Sequence, residues 1–184
     1  MDQTIDAASL RRQLEELIQH AETLANSVSR DDLFRRPTAD KWSAAECLEH
    51  LSVTVEQYLP NIRNAVAELS KGPTSKKRKT WTARKLIALA GPDNKKPVKT
   101  LKRFTPKLEV GDDVIHRFRT VHTDLILELD KAASADLDGV RLASPATRLI
   151  KMSLGQCFEL LTGHGKRHME QAGRAARQPA GSSA

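Results

Sequence analysis

Two histidines near the end of the sequence have the spacing of metal ligands. His164 and His168 are four residues apart, about one turn of an α-helix, so both imidazoles project from one face and can reach the same ion. An unpaired buried polar group costs ~1–3 kcal/mol, and a divalent metal would satisfy both rings. The alternative is that the apolar seam ends here and both rings are in water. The two histidines continue an apolar helical seam that contains Ile150, Leu154, Cys157 and Leu161.

The residues around this pair differ from those of zinc peptidases. Gly165 follows His164, so no carboxylate stands beside the first histidine to act as a general base, as it does in an HExxH motif. Gly163 and Gly165 are also poor helix formers, each costing ~1 kcal/mol relative to Ala. They indicate either a close approach of another backbone or a local break that would separate the two imidazoles.

A third ligand must come from another part of the chain, and His50 is the best candidate. It lies two turns into a second predicted helix, away from the centre of the apolar seam. Spacing alone does not select it, because His20, His116 and His122 compete for the role. His122 lies on a widened apolar face of the third predicted helix, where a core histidine is the more common occurrence.

Four long segments that could position these histidines carry apolar residues at steps of three and four, the pattern of helical bundles and coiled coils. At 1.5 Å per residue, helices of about 20 to 28 residues would be roughly 30 to 40 Å long. Strand signals are almost absent, and residues 135–147 are predicted to form a loop with room for a brief extended stretch. The predicted fold class is all-α, an antiparallel four-helix bundle with a long basic crossover between the second and third helices. The first three seams are Leu10, Leu14, Leu17, Ala21, Leu24 and Val28; Leu48, Leu51, Val55, Tyr58, Ile62, Ala65 and Leu69; and Val114, Phe118, Val121, Leu125, Leu129 and Ala132.

The second predicted helix has a clear start. Ser43 is placed as the N-cap and Glu46 three residues later, so that each side chain can bind a backbone N–H of the first turn. Trp42, before the cap, is positioned to pack on Cys47. Pro60 lies inside this helix, where we expect it to kink the helix or split it in two.

The crossover, residues 71–107, concentrates the positive charge. The chain has 30 Lys and Arg against 23 Asp and Glu, but 13 of the basic residues and only one acid lie in this segment. Four of the eight prolines also lie here, so the crossover cannot be one helix, although residues 81–90 can form a short amphipathic one. Three interpretations stay open: a solvated loop, a lid that attracts an anionic substrate, and a nucleic-acid contact through Lys76, Lys77, Arg78, Lys79 and Trp81.

Size and composition limit the other possibilities. With 184 residues the chain has room for one domain, predicted to span residues 1–175, followed by a disordered tail at 176–184. No run of 18 apolar residues is present and the first residues are polar, which predicts a cytoplasmic protein without a membrane span. Cys47 and Cys157 lack CxxC spacing and are predicted to be buried, reduced thiols.

Two stretches resemble signatures of one family. Residues 41–51 (KWSAAECLEHL) closely resemble the Trp-Ser-capped second helix of the DinB-like superfamily, and residues 163–171 (GHGKRHMEQ) resemble its last helix, with HxxxH followed by Gln. The resemblance implies a four-helix bundle, a homodimer, and one divalent metal held by His50, His164 and His168. That metal would be zinc, nickel, manganese or iron.

The same resemblance implies a function. Members look like metal-dependent hydrolases or transferases of low-molecular-weight thiols, and many have no known activity. We therefore expect a small-molecule substrate, with Arg167 a candidate to orient its anionic group. The alternative is a non-catalytic binding module that contacts nucleic acid or another anionic partner through the basic crossover.

Overall fold

A computed structural model describes residues 6–71, 80–106 and 109–178 of the chain. The elements in chain order are α1 (Ala7–Ser27), α2 (Arg30–Phe34), α3 (Ala44–Leu69), α4 (Trp81–Ala90), a short 3₁₀ helix (Lys102–Phe104), α5 (Val114–Ala132), β1 (Arg141–Ser144), β2 (Thr147–Ser153) and α6 (Leu154–Arg177). The protein is mostly helical, as the sequence predicts. None of the helices in these ranges has the length and apolar character needed to cross a membrane.

Four long helices enclose the core. Both α1 and α3 pack against α5 and α6. The predicted seams of α1, α3 and α5 are buried, apart from Val28 at the C-terminal end of the first, which is partly exposed. Apolar residues at steps of three and four thus face one common interior, which is why periodicity located these helices. The largest fully buried side chains include Phe118, Phe158, Leu14, Leu17, Leu48, Ile62, Leu125 and Leu129.

Pro60 does not split α3, which is continuous from Ala44 to Leu69. A proline removes the hydrogen bond from its own position to the carbonyl four residues earlier, here that of Glu56. Both Glu56 and Pro60 are on the exposed side of the helix. The freed carbonyl can therefore bind water, and the helix continues because its buried face keeps its packing.

The region before α6 is a correction to the sequence prediction. Instead of a loop followed by a helix that already includes Ile150, the chain forms an antiparallel hairpin in which Leu142 pairs with Met152. Ile150 lies in β2, and α6 begins at Leu154 after a capping box made by Ser153 and Gln156. β1 lies within residues 135–147, where the sequence prediction allows a brief extended stretch, but strands of four and seven residues are too short to dominate a periodicity pattern.

The hairpin is held against α3 by side chains. The Tyr58 hydroxyl lies 2.9 Å from the Ser144 hydroxyl, and Asn61 Nδ2 donates to the Ala143 carbonyl at 3.0 Å. Its inner residues Leu142 and Met152 join the main core. The hairpin is therefore part of the helical domain.

The described part of the crossover lies on α6 and β2. The predicted short helix is confirmed as α4, residues 81–90. Thr80, its N-cap, is fixed by the buried amide of Gln156, which accepts from the Thr80 N–H at 3.1 Å and donates to the Thr80 carbonyl at 3.2 Å. The Thr80 hydroxyl also donates to the Lys151 carbonyl at 2.6 Å. The crossover thus has a fixed attachment to the rest of the fold.

At the C-terminal end, α6 extends through Arg177, two residues into the stretch that the sequence assigned to a tail. The apolar face of α6 explains the difference, since Ala175 and Ala176 are buried. The remainder of the predicted tail, from residue 179, lies outside the described residues.

Gly165 marks a close approach of α6 to α1, one of the two interpretations that the sequence left open. A Cβ at Gly165 would lie 2.4 Å from Cδ1 of Leu17, a core side chain that is 1% exposed. At Gly163 the nearest atom to such a Cβ is the Gly91 Cα at 3.7 Å, an ordinary contact with the turn after α4. The helix does not break, and Gly165 is the glycine that lets a neighbouring helix lie close to the histidines.

We predict opposite effects of Gly165→Ala and Gly173→Ala on the free energy of unfolding. The methyl group added at position 165 would overlap with the side chain of Leu17. This overpacking lowers the free energy of unfolding by ~1–3 kcal/mol, which is more than the gain in helix propensity. The methyl group added at position 173 meets nothing within 4 Å in the same helix, so the propensity gain of ~1 kcal/mol should stabilise the protein. Urea unfolding of both variants, without metal, measures the difference. Equal stability of the two variants would contradict the close approach.

Candidate metal centre

The start of α3 fixes where His50 projects. The Ser43 N–H donates to Glu46 Oε2 at 2.8 Å, and the Glu46 N–H donates to Ser43 Oγ at 3.1 Å, so the predicted capping box is present. Arg36 binds the same carboxylate, with Nε 2.8 Å from Oε2. Because Glu46 and His50 are one helical turn apart, this network defines the orientation of α3 at the site.

A backbone carbonyl of the crossover sets the protonation of His50. His50 is 3% exposed, and its Nδ1 lies 2.5 Å from the carbonyl oxygen of Phe104. A carbonyl only accepts hydrogen bonds, so Nδ1 carries the proton and Nε2 is the free nitrogen of the neutral ring. That Nε2 lies 3.2 Å from Nε2 of His164.

The three histidines meet where α3 and α6 pack together. One nitrogen from each of His50, His164 and His168 lies within 4.8 Å of the other two. The ring centroid of His50 is 5.0 Å from that of His164 and 4.6 Å from that of His168. The centroids of His164 and His168, both on α6, are 4.5 Å apart. The His50 and His164 positions are 114 residues apart in the sequence, so only the fold brings them together.

The environment keeps these imidazoles neutral. Burial lowers the pKa of His50, against the opposing effect of its hydrogen bond to Phe104. Burial, followed by the repulsion of the neighbouring imidazoles and of Arg167, lowers the pKa of both His164 and His168. A neutral imidazole is the form that binds metal, so these rings would not have to lose protons at neutral pH.

The donor set fits a divalent metal. The Nδ1 atoms of His164 and His168 are buried and have no hydrogen-bond partner among the described residues. The contact between His50 and His164 joins their Nε2 atoms and leaves both of these Nδ1 atoms without a partner, whereas a cation can accept a lone pair from each of the three rings. Three imidazoles are compatible with zinc, nickel, manganese or iron and do not select one of them.

The competing histidines are elsewhere. His122 is 2% exposed, its Nδ1 donates to the Phe118 carbonyl at 2.9 Å, and its ring stacks on Phe118 with centroids 3.8 Å apart. It is therefore a core histidine, as predicted. His20 and His116 are exposed. The structure thus brings together the three histidines that the family resemblance implies.

The two cysteines take no part in this cluster. Cys47 and Cys157 are both free thiols with no exposed surface. Burial raises the pKa of Cys47 to about 12 and raises that of Cys157 as well. Both remain protonated at neutral pH, so neither is a thiolate nucleophile.

A cleft of about 520 Å³ opens onto the histidines. All three line it, together with residues of α6, of the crossover and of the segment before α3. Trp42 also lines it, with its ring centroid 4.8 Å from that of His50 and 6.1 Å from that of His168. The tryptophan before the cap therefore lies against two of the candidate ligands.

Arg167 connects α6 to the crossover. Its Nη1 donates to the Leu89 carbonyl at 2.8 Å and its Nη2 to the Lys96 carbonyl at 2.7 Å. The residue lines the cleft, as its position beside the histidines suggests, and its guanidinium is engaged with the backbone.

Of the residues predicted to contact an anionic partner, only Trp81 lies in the described part of the chain. Trp81 is 65% exposed on α4, and Lys85 Nζ lies 3.9 Å from the centroid of its ring. The other predicted residues, Lys76, Lys77, Arg78 and Lys79, lie outside the described residues.

Sequence reasoning missed the part of the site that the crossover supplies. The Phe104 carbonyl and the apolar wall formed by Leu86, Leu89, Val98 and Leu101 were not predicted. The sequence does contain a pattern that points to this wall. Apolar residues, Leu101 and Phe104 among them, recur at steps of three within a segment whose most obvious feature is its positive charge.

The fold and the three-histidine cluster agree with a comparison to protein families. A family model described as the DinB superfamily matches residues 11–172. The chain therefore belongs to the DinB superfamily. No curated protein and no solved structure shows significant similarity to it.

We predict that His122 makes the stability of the metal-free protein depend on pH. Burial lowers its pKa from 6.5 to about 4, so between these values the unfolded chain binds more protons and stability falls as pH decreases. The loss between pH 7 and pH 5 should be about 2 kcal/mol from this residue.

Urea unfolding of the native protein and of His122→Leu, with a chelator at both pH values, measures this contribution. The leucine variant has no imidazole at position 122 that could bind a proton. Its loss of stability between pH 7 and pH 5 should therefore be smaller by about that amount. The same pH dependence in both proteins would show that His122 does not carry the effect.

Proposed function

We propose that this protein binds one divalent metal ion through His50, His164 and His168 and uses it in catalysis, as a hydrolase or as a transferase of a low-molecular-weight thiol. The observation that supports this proposal is the meeting of three neutral imidazoles from α3 and α6 within 4.8 Å. Three protein ligands are typical of catalytic rather than structural sites, because positions remain open for water or substrate.

A bound metal would lower the pKa of a coordinated water or thiol. The residues of the chain prepare the site: the Phe104 carbonyl orients His50, and burial keeps the three rings neutral. Burial also raises the pKa of Tyr58, which lines the cleft, so its hydroxyl stays protonated. Tyr58 is therefore not suited to act as a general base, and its hydroxyl is already in contact with that of Ser144.

The proposal includes the assembly that the family resemblance implies. The packing of α1 and α3 against both α5 and α6 supports an antiparallel four-helix bundle. A homodimer, a cytoplasmic location and a small-molecule substrate, oriented in part by Arg167, complete the proposal. Light scattering of the purified protein tests the dimer directly.

We predict about one metal ion per chain after loading with zinc, nickel or manganese in turn, measured by elemental mass spectrometry. His164→Ala should lose that stoichiometric metal, because two ligands hold an ion far less well than three. His116→Ala, which changes an exposed histidine, is the matched control and should keep it.

Thermal unfolding gives a second readout. A metal at 100 times its Kd stabilises the folded state by about 2.7 kcal/mol, so a chelator should lower the Tm of the native protein but not that of His164→Ala. Absence of stoichiometric metal in the native protein after all three loadings would refute the proposal.

A second candidate function, binding of an anionic partner, is supported by the exposed Trp81 with Lys85 over its ring. An aromatic ring beside lysines can stack on a base while the charges contact phosphates. We predict binding to a single-stranded oligonucleotide with an affinity that falls steeply as salt rises.

Replacing Lys76 to Lys79 by glutamine should reduce the salt slope, and Trp81→Ala should weaken binding ~5- to 100-fold, the effect of losing one stacked base. Fluorescence anisotropy at several salt concentrations makes the measurement. No binding even at low salt would exclude this function.

A further inference from the structure

The cleft at the histidines has a mainly apolar wall. The crossover and α6 contribute aliphatic and aromatic side chains to this wall, while the histidines and the charged residues lie among them. The apolar lining residues include Leu86, Leu89, Ala90, Val98, Leu101 and Phe104. A cleft of this volume with this lining matches sites that enclose small molecules.

Three of these apolar residues are exposed to an unusual degree. Leu89, Val98 and Leu101 are 45%, 44% and 50% exposed. All three line the same cleft, so the cleft has apolar surface that is accessible to solvent. Covering this surface with an apolar molecule would release water and favour binding.

The apolar wall is held in place without a ligand. Arg167 binds the backbone on both sides of residues 90–95, and the amide of Gln156 binds Thr80 before α4. The Phe104 carbonyl is bound by His50 at the far end of the same segment. A wall fixed at both ends does not have to be ordered by the ligand, which reduces the entropic cost of binding.

The charges that line the cleft favour an anion. Lys41, Lys99 and Arg167 are positive, and Asp40 is the single carboxylate among the lining residues. The Asp40 carboxylate already accepts a hydrogen bond from the Thr38 hydroxyl at 2.7 Å. A bound metal would add to the positive potential.

We propose that the ligand of this cleft is a small monoanion with an apolar body, comparable in size to a medium-chain carboxylate. The apolar body lies against the crossover wall, and the anionic end lies toward the histidines and the lysines. The placement of the anionic end at the metal rests on the proposed function, whereas the contact with the wall does not.

The chain contains its own reporter for this binding. Trp42 lines the cleft, and Trp81, the other of the two tryptophans, is exposed on α4 outside the lining. In a Trp81→Phe background all tryptophan fluorescence comes from Trp42. Titration with hexanoate, octanoate and decanoate, below their micelle concentrations, then gives Kd values for the cleft with zinc and with a chelator.

The affinity should rise with chain length, by about fourfold for each added methylene that contacts the wall. Octanoate should bind more tightly than octylammonium, which has the same chain and the opposite charge. Equal affinities for hexanoate and decanoate, or tighter binding of the ammonium, would overturn the proposal.

Matched variants locate the binding. Leu101→Asn should weaken decanoate binding several-fold, whereas Leu127→Asn should not, because Leu127 is equally exposed (51%) but lies on α5 away from the cleft. Lys99→Glu should weaken octanoate binding more than Lys102→Glu, since Lys102 is exposed and does not line the cleft. Equal effects within each pair would contradict the proposed site.

The proposed metal function and the proposed ligand class can be refuted independently of each other. If zinc binds stoichiometrically but affinity is independent of chain length, the ligand class is wrong and the metal site stands. If no metal binds but the chain-length dependence persists with the chelator present, the metal function is wrong and the apolar cleft remains the binding site.

Discussion

The hydrogen bond between His50 Nδ1 and the Phe104 carbonyl joins two parts of the chain that are stabilised in different ways. His50 belongs to α3, whose position is fixed by the core and by the capping box at Ser43. Phe104 belongs to the crossover, which is attached through hydrogen bonds between side chains and backbone and through the packing of Ala83 and Phe104 on the core. This bond fixes the protonation and the direction of His50, so the crossover helps to define the metal ligands as well as the cleft wall.

Burial has two consequences for the histidines, depending on what each ring can bind. His122 satisfies one nitrogen with the carbonyl of Phe118 and stacks on that ring, so its neutral form is stable in the core. Burial also keeps His164 and His168 neutral, but each has a buried nitrogen that finds no partner within the described ranges of the chain. Neutral imidazoles with unused nitrogens, close together and beside a cleft, are costly to maintain unless something binds them.

The sequence predicted the parts of this structure that depend on local patterns. The HxxxH spacing, the cap at Ser43 and Glu46, and the helical seams each involve residues within a few turns of one another. His50 was selected by resemblance, because no local pattern relates it to residues 114 positions away. The hairpin was missed although Ser153 and Gln156 form a second capping box that marks the true start of α6. Ile150 fits the helical period of the residues that follow it, which is why the sequence prediction places it in the last helix.

The basic crossover shows why net charge is a poor guide to what a segment contacts. Its described basic residues, such as Arg84 and Lys85 on α4, are exposed, whereas apolar residues such as Leu86 and Phe104 line the cleft. Charge acts over about 10 Å at ordinary salt, so the exposed lysines that do not line the cleft raise the local concentration of anions without touching them. Selectivity for a ligand comes from the side chains that line the cleft, and these include Leu86, Leu101 and Phe104. The most charged segment of the chain therefore supplies an apolar wall, and the two properties together favour ligands that are both anionic and apolar.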